Sequence, residues 1–567
     1  MALNQQKITF RHWCRSGEPF IWLNAAAVTI SVLAVVGLLS LLAVRGFGHF
    51  WPSNIMQAEY RFPGTQATRI IGERVGSENV PLEQILNSGM AADINSTEPF
   101  VSRTLIKRGN RDVTGLDFVW VLDEYLTDIR YPETLMSIER REWGHFYGYL
   151  KAVKQEGKTL SYSDDAALWA LFEQRIDRAL QLHQQIEAIE KDDIASINYA
   201  LERLRLRERS LAFKNSVSDS QLAIEQANIA TERAVLDSEY EVLQNRLNEL
   251  YAQSQRDSFV AETMSGEETT LDIAVVVQAH RPNAMSVGKK LVVYAENFWA
   301  FLSEDPREAN TEGGIFPAIF GTVMMVLLMS VMVTPFGVIA AIYLREYARQ
   351  GVMTRIVRIA VNNLAGVPSI VYGVFGLGFF IYFLGAEMDK LFFEAALPAP
   401  TFGTPGLLWA SLTLALLTLP VVIVSTEEGL SRIPKALREG SLALGATKAE
   451  TLWRVVLPMA SPAMMTGLIL AVARAAGEVA PLMLVGVVKL APSLPVDGNY
   501  PYLHLDQKFM HLGFHIFDVG FQSPNVEAAR PLVYATALLL VIIIALLNFS
   551  AVALRNHLRE RYKALDM

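Results

Sequence analysis

Cysteine is almost missing from this chain: Cys14 is the only one in 567 residues. An intrachain disulfide and a thiolate metal cluster are both excluded, so any extracytoplasmic part must be stable without disulfide staples. A GxxxxGK[ST] loop is missing too, so the chain does not cradle ATP phosphates in the P-loop manner. Neither HExxH nor GxSxG occurs, which leaves no zinc-protease or serine-hydrolase constellation. The nine histidines are scattered, and the one close pair, His511 and His515, lacks the further ligands a metal needs. No basic stripe with interleaved aromatics is visible and the net charge is −8, so nothing points to nucleic acid. The chain is therefore expected to bind no cofactor and to carry out no catalysis of its own.

Charge is sparse in six long stretches, and these organise the molecule. Apolar runs cover approximately 21–44, 317–344, 358–385, 405–425, 462–488 and 531–553. Each is close to or above the roughly 20 residues that cross a bilayer as a helix. The first follows Lys7, Arg11 and Arg15, but its run is too long for a signal-peptide core and no small-x-small cleavage site follows closely. An uncleaved anchor is the expectation. The expected fold class is mostly α: a polytopic membrane protein with six transmembrane helices and an inserted α+β domain.

Basic residues near the run ends set the orientation. They cluster at the N-terminus, at Arg345, Arg349, Arg355 and Arg358, at Arg432, Lys435, Arg438, Lys448 and Arg454, and at Arg555, Arg559, Arg561 and Lys563. With six spans, all four clusters fall on one side, which places both termini in the cytoplasm. The divisions expected are a cytoplasmic segment 1–20, span 1 at 21–44, an external domain 45–316, a membrane core 317–553 with a cytoplasmic loop about 426–461, and a tail 554–567.

The external domain reads in two parts. From about 56 to 150 it is β-rich, as in RTLIKR and LDFVWVL. From about 164 to 257 it is helical, with Leu180, Ile186, Ile189, Ile194, Ile197, Leu201, Leu204 and Leu211 recurring every three to four residues on average. FKNSVSDSQ interrupts that pattern, so an antiparallel, coiled-coil-type hairpin on a β-rich base is expected, with LDIAVVVQAH as a returning strand. It serves either as a structural arm or as a contact for a partner. Asn95-Ser96-Thr97 matches a glycosylation sequon and carries no weight. Segment 286–303 reads either as an amphipathic helix at the membrane interface or as a buried element of the domain.

Two stretches carry functional information. Between runs 4 and 5 lies REGSLALGATKAETLWRVVLP, whose grammar is helix, glycine turn, helix. Pro434 suits a helix start, Gly445 suits a left-handed helix end, and Thr447 with Glu450 has capping-box spacing. Trp453, Val456 and Leu457 are expected on the apolar side of the second helix, with Pro458 closing it. Two short helices in water between two spans make a docking surface. The other stretch is in run 5, where Arg474 and Glu478 stand four residues apart in an apolar run. Charges at depth are costly, so they face a cavity or each other. In one reading they only cancel; in the other, Arg474 attracts an oxyanion through its planar fork of donors, while Glu478 holds it and keeps binding weak. Pro481 is placed to bend the run. In run 3, NNLAGVPSIVYGVFGLG offers glycines for close packing or a broken helix, with Asn363 and Ser369 as candidate path-lining residues. Glu427 and Glu428 are expected to be solvated at the end of run 4.

The spacing from Glu439 to Pro458 resembles the EAA loop of ABC-importer permeases: Glu439, small Gly440 and Ser441, then Gly445 with Ala446, and an ending of Val455, Leu457 and Pro458. Gly440 stands where alanine is usual. The C-terminal half is similar to the PstA-type permease family of the phosphate-specific ABC transporter, through TEGGIFPAIFGT, FGVIAAIYLREYA, ARAAGEVAPLMLVG and FMHLGFHIFDVGFQSPN. The resemblance covers about 300 to the C-terminus. It implies an inner-membrane phosphate importer working with a paralogous permease subunit (PstC type), an ATPase dimer (PstB type) that uses ATP and Mg, a periplasmic phosphate-binding protein (PstS type), surrounding lipid and phosphate-signalling regulators. It also implies that the EAA loop seats in the ATPase and that Arg474 serves phosphate passage. The long external insert departs from short family members and inherits no role. The alternatives are a permease for another oxyanion, such as molybdate or sulfate, or a membrane sensor with an external ligand-detecting domain. The sensor lacks an output domain in its short tail.

Overall fold

A computed structural model describes residues 16–62, 66–87, 99–160, 164–213, 219–523 and 526–563. Cys14, the basic residues before residue 16, the Asn95–Thr97 sequon and the chain beyond residue 563 lie outside these.

Among the described residues, six helices are long and apolar enough to cross a membrane: Glu18–Gly48, Phe316–Tyr347, Ser369–Phe392, Leu407–Arg432, Lys448–Ala476 and Ala529–His557, numbered spans 1 to 6. Spans 2, 4 and 5 form the centre, where Met325, Met329 and Val333 meet Leu414, Leu417, Val422, Ala471 and Ala475. Small residues let these helices approach, as membrane helices require in the absence of a hydrophobic drive. A Cβ at Gly337 would sit 2.6 Å from a Val422 methyl, and one at Gly467 would sit 2.6 Å from the Ser425 Cβ. Span 1 is peripheral and leans on span 6 through Gly46 against Tyr534 and Ala535.

Three expected boundaries shift. Run 3 does not form one helix from 358. A separate helix, Val352–Leu364, is followed by a break, and span 3 begins at Ser369. Pro368 disfavours a helical residue before it and has no N–H, which explains the break. Run 5 begins earlier and ends earlier than 462–488. Pro458 does not close the second loop helix, because a π-turn over Leu452–Val456 accommodates it and the helix runs on through Leu457–Ala476. Glu427 and Glu428 both lie within span 4 rather than past it; Glu427 is half-buried and pairs with Arg358, whereas Glu428 is exposed.

Among the described residues, the stretch between spans 1 and 2 holds two large antiparallel sheets and a short two-stranded one at Pro306–Arg307 and Glu312–Gly313. The first has strand order β4-β3-β2-β1-β5, with β1 Ile55–Tyr60, β2 Thr68–Pro81, β3 Phe100–Lys107, β4 Phe118–Leu122 and β5 Leu126–Arg130. The second has order β10-β9-β7-β6-β11, with β8 (Lys158–Leu160) beside β7; here β6 is Leu135–Arg140, β7 Phe146–Gln155, β9 Asp257–Glu262, β10 Glu268–Asp272 and β11 Val276–His280. The stretch expected as one returning strand is thus split, because Ile273–Val275 forms a 3-10 turn between β10 and β11. Ile55, Ile71, Leu135, Tyr147 and Met264 join the sheets. Arg69 clamps the seam by donating to Glu262 Oε1 and to the carbonyls of Met264 and Thr263.

Between β8 and β9 the chain makes two long helical arms. The first is Asp165–Ala188, a π-turn and Ala195–Phe213; the second is Asp219–Ser254. The root of the first arm packs on the second sheet through Leu168, Phe172, Ile176 and Ala179. Further out, Leu182 and Ile186 meet Leu247 and Leu250. The first arm also reaches the membrane core: Tyr199 donates to the Tyr500 carbonyl, and its ring stands edge-on to His504 at 5.8 Å.

Candidate functional site: a charged loop and an intramembrane ion pair

The loop after span 4 is built by local grammar. Its first helix is Lys435–Ala443, with Pro434 as the extended residue before it. The helix closes in a Schellman motif: Ala446 N–H donates to the Ser441 carbonyl at 3.3 Å, and Gly445 N–H to Leu442 at 3.0 Å. Gly445 has φ of +90°, a conformation that disfavours any residue with a Cβ. The next helix opens on a complete capping box. Thr447 Oγ1 accepts from Glu450 N–H at 3.2 Å, and Thr447 N–H donates to Glu450 Oε2 at 2.8 Å. Ser441 and Thr451 hydroxyls hold the two helices together at 2.9 Å.

The loop is rigidly seated on the end of span 2. Arg438 pairs with Glu346 at 2.9 Å and donates to the Leu430 carbonyl at 2.6 Å. Lys448 donates to the Glu346 carbonyl and lies 4.4 Å from the Tyr347 ring. Beneath the loop, Leu452, Val456 and Ala460 pack with Ala341, Leu344 and Leu430. The outward face stays open: Glu439, Gly440 and Gly445 are exposed, and so are Leu437, Leu442, Leu444 (92 %) and Trp453 (74 %). Trp453 was expected on the packed side with Val456 and Leu457. The continuous helix instead puts Leu452 and Val456 inward and turns Trp453 out. Leu457 and Pro458 are half-buried, at the start of the membrane part of span 5.

Arg474 occupies the last turn of span 5, and the helix ends at Gly477. Arg474 and Glu478 are therefore not two positions on one uninterrupted helix. Glu478 lies in the turn after it, Nε to Oε1 is 3.5 Å, and both side chains are partly exposed. Among the described residues the other guanidinium N–H groups have no protein acceptor, so they remain available. Pro481 does not bend the span; it follows the helix end and opens the short helix Leu482–Val485. Its backbone packs on span 3, where a Cβ at Gly373 would meet Pro481 Cα at 2.7 Å.

The break before span 3 lies beside this pair. Tyr372 donates to the Leu364 carbonyl at 2.6 Å, bridging the break, and stands near enough to Arg474 to feel its charge. Asn363 and Ser369 flank the break, Asn363 exposed and Ser369 half-buried. No contact joins either to Arg474 or Glu478 among the described residues. Sequence reasoning missed Tyr372, Glu346 and the Gly373–Pro481 contact. The one available signal was the charged LREY phrase at the end of an apolar run. Among the described residues no group of three His, Cys, Asp or Glu side chains is placed to hold a metal.

Residues 333–564 match the family described as the binding-protein-dependent transport system inner membrane component. A phosphate transport system permease protein PstA of Mycobacterium leprae is 36% identical over 261 residues, 46% of this chain and 76% of that protein. PstA 1 of Mycobacterium tuberculosis strain CDC 1551 / Oshkosh is 34% identical over 247 residues, 43% of this chain and 71% of that protein. The Yersinia pestis PstA is 31% identical over 251 residues, 44% of this chain and 75% of that protein.

Proposed function

Because this chain belongs to the PstA family of phosphate transport system permeases, we propose that it is the membrane-spanning subunit that carries inorganic phosphate into the cytoplasm. It is a multi-pass inner-membrane protein, and the energy comes from another chain. We assign ATP hydrolysis, with its Mg, to a separate ATPase dimer of PstB type. A PstC-type permease completes the channel, and a PstS-type binding protein delivers phosphate from the periplasm. Regulators of the phosphate response are further candidate partners. Both termini face the cytoplasm and the two-sheet domain with its hairpin faces the periplasm, on the strength of the four basic clusters.

The observation that carries this reading is the charged loop. It is capped, cross-linked by hydrogen bonds and seated on spans 2 and 5, yet it offers an open apolar face of Leu442, Leu444 and Trp453 to water. An exposed face of this kind, rimmed by charge, marks a partner site. Seated in an ATPase, it passes closure of that dimer to span 5, because the second loop helix and span 5 are one helix. At the far end of that helix are Arg474 and Glu478. Arg474 offers its free donors to a tetrahedral oxyanion. Glu478 positions it and limits the residence of the ion.

The test is ATP-driven uptake of labelled phosphate, sulfate and molybdate in cells lacking this chain. Loss of high-affinity phosphate uptake alone supports the reading. Unchanged phosphate uptake, or loss confined to another oxyanion, overturns it.

A further inference from the structure

A helix outside the six spans carries an apolar face that the protein leaves uncovered. It is Val287–Ser303, capped by Ser286, and it presents three different arcs. The inner arc packs on the exit of span 1: Tyr294, Phe298 and Phe301 surround Phe50 with ring centroids 5.1–6.1 Å apart, and Phe298 also meets Phe47. A second arc, at Lys289, Glu296 and Ser303, is polar. The third arc is Leu291, Val292, Ala295 and Trp299, which line one open, mostly apolar hollow with Glu296 of the polar arc at its edge. Leu291 is 54 % exposed, Val292 57 % and Trp299 69 %.

Two anchors fix where this helix lies. Its C-terminal end is bonded to the first turn of span 2, since Ile315 N–H donates to Phe301 and Phe316 N–H to Glu304. Its body runs back along the exit of span 1: Phe298 lies by Phe47, Asn297 donates to the Phe50 carbonyl, and Lys290 donates to Asn54. The Trp299 end is therefore at the level where span 1 ends and span 2 begins. From Phe298 to Lys290 the helix climbs by at most about 12 Å. That upper bound exceeds the polar interfacial layer, about 5–8 Å on each side of the hydrocarbon, so the Trp299 end lies within the layer and the Lys290 end reaches its outer edge. Trp51, 40 % exposed and packed against Tyr294, stands at the same boundary. Tryptophans at that level are the usual membrane-interface belt.

We infer that Val287–Ser303 is a lipid-binding interfacial helix, whose Leu291–Trp299 face rests among phospholipid headgroups and upper acyl chains. It is continuous with the lipid-facing surface of spans 1 and 2. Its apolar arc meets lipid, its polar arc meets water and its aromatic arc holds the protein. It ties the external domain to the membrane plane on the side of span 1.

The test uses the full chain with Cys14→Ser, reconstituted in phosphatidylcholine vesicles, with single cysteines at Lys289, Val292 or Trp299 carrying an environment-sensitive fluorophore. Gel filtration of each variant before reconstitution shows that it folds. The label at 299 is expected to be quenched several-fold more by a nitroxide on the upper acyl chain than by aqueous iodide. The label at 292 is expected to respond to a headgroup nitroxide, and the label at 289 to iodide. Iodide quenching at 292 and 299 equal to that at 289 overturns the proposal, as does shielding of both sites from lipid and aqueous quenchers, which signals a protein partner.

Discussion

Two glycines in the charged loop separate backbone strain from simple crowding. A Cβ added at Gly440 or at Gly445 meets nothing within 4 Å, so neither alanine clashes. Their backbones differ. Gly440 is inside the helix Lys435–Ala443, where alanine is favoured over glycine by about 0.8–1 kcal/mol. Gly445 sits at φ +90°, where a side chain costs about 1–2 kcal/mol. Gly440→Ala should therefore leave the loop intact or firmer. Gly445→Ala should shift the turn away from its docked shape by roughly 5–30-fold, the ratio that such an energy sets. If the ATPase recognises the preformed turn, its affinity for the reconstituted permease falls by up to that factor for Gly445→Ala and holds for Gly440→Ala. Titration of the ATPase onto permease in nanodiscs measures both. Equal affinities for the two variants would refute the reasoning, because the turn would then not be the recognised shape.

Other outcomes follow from the same geometry. Gly373→Ala places a methyl 2.7 Å from the Pro481 backbone, so overpacking of about 1–3 kcal/mol should lower the apparent unfolding temperature in detergent; an unchanged value contradicts the packing described. Glu346→Gln removes the charge that Arg438 pairs with and should weaken ATPase co-purification while leaving membrane insertion unchanged. Burial alone would raise the pKa of Glu312, but a hydrogen bond and charge from His145, with charge from Lys107 and Arg307, hold it at about 2. The unfolded chain then takes up a proton that the fold refuses, so stability should fall as pH drops from about 4.5 to about 2, and Glu312→Gln should flatten the unfolding temperature over that window.

The membrane architecture was legible because it rests on composition: about 20 apolar residues can do little else in a chain this size. The loop was legible because its turn and cap are local, so Gly445, Thr447 and Glu450 could be read from spacing. Legibility failed where one local rule met another. Apolar composition ran through Gly366 and Pro368, while the backbone broke there and delayed span 3 to Ser369. Proline chemistry pointed to a stop at Pro458, yet a π-turn carried the helix through and rotated Trp453 outward. Span 5 also ends early, at Gly477, which leaves Glu478 beyond the helix. Long-range partners left no local trace: Glu346 for Arg438, Pro481 for Gly373, Tyr372 beside Arg474 and Tyr500 for Tyr199 depend on how separate elements meet.

The central claim is that Arg474 draws phosphate along a path driven from the charged loop. Its most direct measurement is ATP-dependent accumulation of labelled phosphate in proteoliposomes holding the complete transporter, with wild-type chain, Arg474→Lys or Arg474→Ala. The account predicts that Arg474→Ala abolishes accumulation, that Arg474→Lys retains part of it, and that ATPase co-purification is equal for all three. Accumulation by Arg474→Ala at the wild-type rate would contradict it.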